Sequence, residues 1–290
     1  MRAAMNQRFR TLLVLGRVSN LPTVWSNCLA GWWLGGGGNL WKLPLLLLGV
    51  SLLYTGGMYL NDAFDQEFDR LRRPERPIPS GKIAAAEVWG FGFAQLVFGI
   101  LLLLGCGKTA AISGLVLAVL IVLYDFTHKF FMASPWLMGA CRFWVYVIAG
   151  AIGRLGVNGF VIFGGAALAF YVVGLSYVAR GETTRARVKP WPVSLLVAPI
   201  VLALSINANG YRLPAILISI VVGLWIVRCI RSVFWGGGTN VGWIVSNLLA
   251  GIVLVDWLAV APIIPPWLSA LLFLSLLGIT KWSQKFVPAT

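Results

Sequence analysis

Apolar runs of roughly twenty residues, separated by short polar connections, recur from residue 12 to residue 283. A helix needs about 20 apolar residues to cross the hydrocarbon core of a bilayer. The pattern predicts spans at 12–34, 41–62, 85–105, 109–127, 135–153, 158–179, 191–208, 213–232, 242–260 and 266–283. Pro262, Pro265 and Pro266 divide the last two, or leave one broken span with an interfacial piece. The expected fold is therefore all-α, a polytopic transmembrane bundle of nine or ten spans. The basic stretch Met1 to Arg10 superficially resembles a leader, but Arg17, Asn20 and Pro22 interrupt the apolar run behind it. It reads as a cytoplasmic tail entering the first span.

Composition removes the other classes. The 290 residues are 59% hydrophobic and only 11% charged, against about 25% charged in a soluble domain. A soluble enzyme, a secreted disulfide scaffold and a disordered chain are excluded, leaving a single integral membrane domain over residues 1–290. The net charge of +14 would suit nucleic acid if it lay on one soluble face, but the basic residues sit between apolar runs. No nucleic-acid partner is expected, and no obligate protein partner is evident. With the N-terminus cytoplasmic, seventeen Lys and Arg fall on that side and only Lys42, Lys108, Arg154 and Arg212 on the other. Such a protein belongs in a bacterial inner membrane. Cys28, Cys106, Cys141 and Cys229 are scattered singly in apolar segments, and His128 is the only histidine. A multi-histidine metal site is thereby excluded.

The acids are sorted too, although the positive-inside rule does not require it. All but Asp256 fall on the cytoplasmic side. Charges of both signs at one end of an apolar bundle predict a polar cavity opening at that face.

The second span ends in Asn61-Asp62-Ala63-Phe64-Asp65-Gln66-Glu67-Phe68-Asp69. On a continuous helix Asp62, Asp65 and Asp69 stand at i, i+3 and i+7, within about 60° of one another. Carboxylates crowded at a membrane boundary repel unless something positive lies between them. Mg²⁺ suits them, because it takes one or two carboxylates together with phosphate oxygens and water. Arg72, Arg73, Arg76 and Lys82 follow and suit phosphate oxygens left uncovered by the metal. The plain alternative is that acids and arginines merely solvate the end of a span.

These residues resemble the UbiA superfamily of intramembrane aromatic prenyltransferases. Asn61-Asp62-x-x-Asp65-x-x-x-Asp69 is similar to its first Asp-rich motif, and Arg73-x-x-Arg76-Pro77-Ile78-Pro79-Ser80-Gly81 looks like the continuation. Tyr124 and Lys129 resemble a Tyr-and-Lys element, with one residue more between them than is usual. Arg17-Val18-Ser19-Asn20 and Asn27 also look familial. The second Asp-rich motif is missing: after the sixth span only Glu182 is acidic, beside Arg180 and Arg185. In this the chain is similar to a divergent, EboC-like branch.

The resemblance implies transfer of an isoprenoid from an allylic polyprenyl diphosphate to a small lipophilic acceptor, commonly aromatic, within the membrane and dependent on Mg²⁺. It makes Asp62, Asp65 and Asp69 metal ligands and catalytic groups together with Tyr124 and Lys129. Asn61, Arg73, Arg76, Arg17, Asn20, Arg142, Arg180 and Glu182 are expected to bind substrate. Arg180 is expected to stand in for a second metal, or only to satisfy topology. Arg17, Asn20 and Asn27 share a face of the first span, lining an acceptor pocket or joining helices. Arg142 awaits a phosphate or Asp125. Phe64, Phe68 and Tyr124 flank a cation or anchor the interface, and His128 is a proton acceptor or a surface residue. A CDP-alcohol phosphotransferase is set aside, because its Asp-Gly-x-x-Ala-Arg pattern is absent. A carrier of lipid or metabolite that kept the scaffold without catalysis remains the competing reading.

Overall fold

The structure, a computed structural model, describes residues 2–184, 191–207, 211–235 and 241–289. In the described residues the chain forms helices α1 (Arg2–Leu15), α2 (Leu21–Leu34), α3 (Lys42–Phe64), α4 (Gln66–Arg72), α5 (Ala85–Cys106), α6 (Lys108–Thr127) and α7 (Ser134–Ala151), then α8 (Gly159–Thr184), α9 (Trp191–Ile206), α10 (Arg212–Trp235), α11 (Val241–Val260) and α12 (Pro266–Ser283). Six stretches are long and apolar enough to cross a membrane: Lys42–Phe64, Ala85–Cys106, Lys108–Thr127, Gly159–Arg180, Arg212–Arg231 and Val241–Val260. Helices α2 and α9, with 14 and 16 residues, fall short of the roughly 20 that a straight crossing requires.

The expected first span, 12–34, is not one helix. It breaks after Leu15, passes through a single 3₁₀ turn at Val18–Asn20 and restarts at Leu21 with Pro22 in the first turn. Arg17 at the break has φ 43° and ψ 47°, the one non-glycine residue with positive φ among the described residues. A left-handed arginine costs about 1–3 kcal/mol and persists only where surrounding contacts hold it.

Two apolar cores meet along α2 and α7. Ala30, Leu34 and Tyr146 belong to the core with α8, α10 and α11, whereas Val24, Cys28, Val145 and Ile148 belong to the one with α3, α5 and α6. Small residues let the backbones approach. A Cβ on Gly31 of α2 would lie 2.8 Å from the Tyr146 carbonyl oxygen of α7, and one on Gly56 of α3 would lie 2.9 Å from the Gly92 carbonyl oxygen of α5. The outer faces remain apolar: Val97, Phe98, Leu101 and Leu104 on α5 and Leu217, Ile220 and Leu224 on α10 are exposed. In water such a surface would aggregate; against lipid tails it is at rest.

Candidate active site

Helix α3 ends at Phe64, and Asp65 is the single residue that joins it to α4. The continuous helix expected through Asp69 is therefore corrected to two helices with a turn at the middle carboxylate. The three acids meet different partners. Arg76, returning from the Arg-Pro loop, places Nη1 2.8 Å from Asp62 Oδ1 and 3.3 Å from Asp69 Oδ2. Asp65 faces the end of α6 instead, with Lys129 Nζ 2.8 Å and His128 Nε2 3.2 Å from its Oδ1. Lys129 also donates to the carbonyl oxygen of Phe64, at 2.9 Å, so one ammonium closes α3 and pairs with the acid that follows it.

The break in the first span is explained from this side. Left-handed Arg17 sends Nη2 to Asn61 Oδ1 and Asp62 Oδ1, each at 3.2 Å. Asn61 in turn donates through Nδ2 to Asp125 Oδ1 at 3.1 Å. The expected shared stripe of Arg17, Asn20 and Asn27 is corrected, because the break turns each to a different neighbour. Asn20 is buried and donates to the Ala289 carbonyl oxygen at 2.9 Å. Asn27 donates to Asp256 at 2.6 Å.

The ionisable groups of the connections respond to these neighbours. Burial pushes the Asp65 carboxyl up, but hydrogen bonds from His128 and Lys129 and their charges outweigh it, holding Asp65 below its ordinary value. Asp69 goes the other way: burial, helped by Asp65 and Asp62, outweighs Arg76 and Arg73 and raises it. Burial works against the charged His128 ring, yet the bond to Asp65 raises its pKa overall. His128 is thus a partner of the acid cluster. Its ring also stacks on Tyr124, with centroids 5.3 Å apart.

Behind the cluster lies a cavity with about 540 Å³ of empty space, part of it open to the surroundings. Tyr54, Met58, Leu117, Tyr124, Asp125 and Arg142 are among the residues that line it. Arg142 contacts neither Asp125 nor the acid cluster. Nη1 donates to Asn27 Oδ1 at 2.7 Å, Nη2 to Thr23 Oγ1 at 3.4 Å, and the guanidinium lies 5.6 Å from the Tyr54 ring centroid.

The guanidinium of Arg180 donates to the carbonyl oxygens of Met132 (2.6 Å), Phe131 (3.1 Å) and His128 (3.2 Å) and to the Ser134 hydroxyl. It ties the α6–α7 connection to α8. Arg73 is half-buried at the end of α4, where its charge acts on Asp69. The side chain of Glu182 and the whole of Arg185 lie outside the described residues.

Among the described residues no three His, Cys, Asp or Glu side chains converge on one metal position. The donor set nonetheless fits Mg²⁺ held jointly with phosphate. The oxygens are hard, Asp62 and Asp69 stand within reach of one guanidinium, and Asp69 Oδ1 is buried without a hydrogen-bond partner. Mg²⁺ takes one or two carboxylates plus substrate oxygens rather than an all-protein cage.

Two sets of residues carry more than the sequence reading gave them. Asp256, fully buried in α11, accepts from Tyr146 Oη at 2.6 Å, from Asn27 and from the Ser26 hydroxyl. Asp125 is buried on α6 with Oδ2 unpartnered. The available signal was the general one, that an ionisable group inside an apolar span demands an internal partner.

Residues 19–283 match the family described as the UbiA prenyltransferase family. Over 90 residues, 31% of each chain, the sequence is 36% identical to a digeranylgeranylglyceryl phosphate synthase of Sulfolobus acidocaldarius. Over 81 residues, 27% of each chain, it is 36% identical to a protoheme IX farnesyltransferase of Bacillus pumilus. The alignments thus span about a third of the length of these curated relatives. A UbiA homolog from Archaeoglobus fulgidus bound to GPP and Mg²⁺ shares the fold, with TM-score 0.63 and 17% identity over 88% of this chain and 99% of that one. Together with the six apolar helices, these matches mark an integral membrane protein.

Proposed function

We propose, for this chain, which belongs to the UbiA prenyltransferase family, that it transfers an isoprenoid from an allylic polyprenyl diphosphate to a small lipophilic acceptor, commonly aromatic, inside the membrane. The observation that carries this reading is the joining of one acid and cation cluster, Asp62, Asp69, Arg76 and Arg17, to an apolar cavity one side chain away. Charge at one end suits a diphosphate; apolar walls suit its tail.

Asp62 and Asp69 are the residues that would hold Mg²⁺, which would supply positive charge to the departing diphosphate, with Asp65 beside them, paired to Lys129 and His128. Arg76, Arg73 and Arg17 bind the phosphate oxygens and take up the negative charge that grows as the allylic C1–O bond breaks. Lys129 keeps Asp65 ionised and anchors the end of α3. Tyr124 presents its ring to the allylic cation. The surrounding helices exclude water, which would otherwise capture that cation. Electrons leave with diphosphate, C1 bonds to the acceptor, and the acceptor gives up a proton. The site opens to the cytoplasmic face of a bacterial inner membrane, in one domain of nine or ten spans with the N-terminus inside. The placement of Lys and Arg supports that orientation.

The test is release of diphosphate from geranyl diphosphate by the purified chain in detergent, with and without Mg²⁺. Release that requires Mg²⁺ supports the reading. Binding without release, for any isoprenoid length or acceptor, favours the carrier, whose support is the missing second acid motif.

A further inference from the structure

Asp125 lies within α6 with 3% of its surface exposed. Among the described acids at this end of the bundle it is the one that lines the cavity behind the acid cluster, in a wall that is otherwise mostly apolar. Its Oδ1 accepts from Asn61 Nδ2 at 3.1 Å, whereas its Oδ2 is buried without a hydrogen-bond partner. A buried carboxylate oxygen left without a donor is costly and calls for a group that completes it, a water, an ion or a ligand.

Its neighbours fix where that group would sit. Asn61 bridges Asp125 to Arg17, which reaches Asp62. Asp125 is therefore one amide away from the end of the cavity that grips diphosphate, and allylic C1 is bonded to that diphosphate. Tyr124 precedes it and lines the same cavity, and His128 Nδ1 lies 3.0 Å from the Asp125 backbone oxygen. Arg142 lines the same cavity, its guanidinium held by Asn27 and Thr23.

We propose that Asp125 is a further catalytic residue, the base that takes the proton an acceptor hydroxyl gives up when the isoprenoid is transferred to it. The inference rests on the prenyltransferase reading above. In the step, the allylic C1–O bond breaks and diphosphate leaves with the electron pair. The acceptor's hydroxyl oxygen, or the ring carbon that this hydroxyl activates, bonds to C1. The proton released passes to Asp125 Oδ2, turning a carboxylate into a carboxylic acid, and no oxidant or reductant is needed. The free oxygen is thus filled by the acceptor's hydroxyl before reaction and by its proton afterwards.

The isosteric variant Asp125→Asn separates this role from a structural one, because its carbonyl oxygen still accepts from Asn61 while the basic oxygen is gone. Wild type and variant, as full chains in detergent, are compared in Mg²⁺-dependent binding of geranylgeranyl diphosphate and in transfer of its tritium label into a lipid extract of the native membrane. The expected result is binding within about 3-fold of wild type and transfer lowered about 100-fold or more, the range of a lost general base, with Asp125→Glu recovering part of the transfer. Equal transfer by Asp125→Asn overturns the inference and leaves the prenyltransferase reading intact. Loss of binding in step with transfer also overturns it, assigning Asp125 a structural role. A wild-type chain that neither binds nor consumes the diphosphate overturns both.

Discussion

Asp125 and Asp256 are both aspartates buried inside apolar helices, at 3% and 0% exposure, yet their surroundings are opposite. Asp256 is closed. Tyr146 fills one oxygen, Ser26 and Asn27 fill the other, and Arg142 stands behind Asn27. Asp125 is open, with one oxygen bonded to Asn61 and the other to nothing. Burial is common to both acids; what distinguishes them is whether the carboxylate is fully hydrogen-bonded. The closed network joins α2, α7 and α11 along the seam of the two cores and holds Arg142 at the cavity wall. The open acid belongs with Asp69, whose Oδ1 is likewise free, at the end where substrate charge is expected.

The contrast is broken or sharpened most forcefully by Asp256→Ala. That change strands three donors and leaves Arg142 without its counter-charge, so stability should fall by about 3–5 kcal/mol, read as a lower melting temperature in detergent. Tyr146→Phe removes a single bond to the same carboxylate and should cost about 2 kcal/mol in the same measurement. Arg180→Ala releases the α6–α7 connection; it should cost about 1 kcal/mol and leave the Mg²⁺ titration of activity unchanged. A raised Mg²⁺ requirement would return Arg180 to the phosphate. The smallest effect belongs to Asp125→Asn, which should melt within about 0.5 kcal/mol of wild type. Should it melt as low as Asp256→Ala, the distinction between the two aspartates disappears.

Much of the acid cluster was legible in the sequence, since Asp62, Asp65, Asp69 and Arg76 lie within fifteen consecutive positions and their spacing carries the information. The Asp65 turn was not, because nothing in Phe64-Asp65-Gln66 is a helix breaker, and neither were the partners of Asp65, because Lys129 and His128 lie more than sixty positions away. The break at Arg17 has the same character. Gly16 and Pro22 permit it, but Asp62 and Asn61 give it a reason. Asp256 stood out only as the acid on the wrong side of the bundle, because its partners Ser26, Asn27 and Tyr146 lie 110 to 230 residues earlier. Apolar periodicity located most helices, yet it could not see that α2 is a 14-residue piece, since a polar interruption within an apolar run reads equally as a stripe or a break.

The central claim, that Asp62 and its neighbours grip a diphosphate through Mg²⁺, is tested most directly by titrating geranyl diphosphate into wild type and Asp62→Ala at saturating Mg²⁺ and again with the metal chelated. The account predicts binding by wild type that is lost on chelation, and at least about 100-fold weaker binding by Asp62→Ala, the consequence of removing a metal ligand. Equal affinity of the two chains, or wild-type affinity indifferent to chelation, would contradict it.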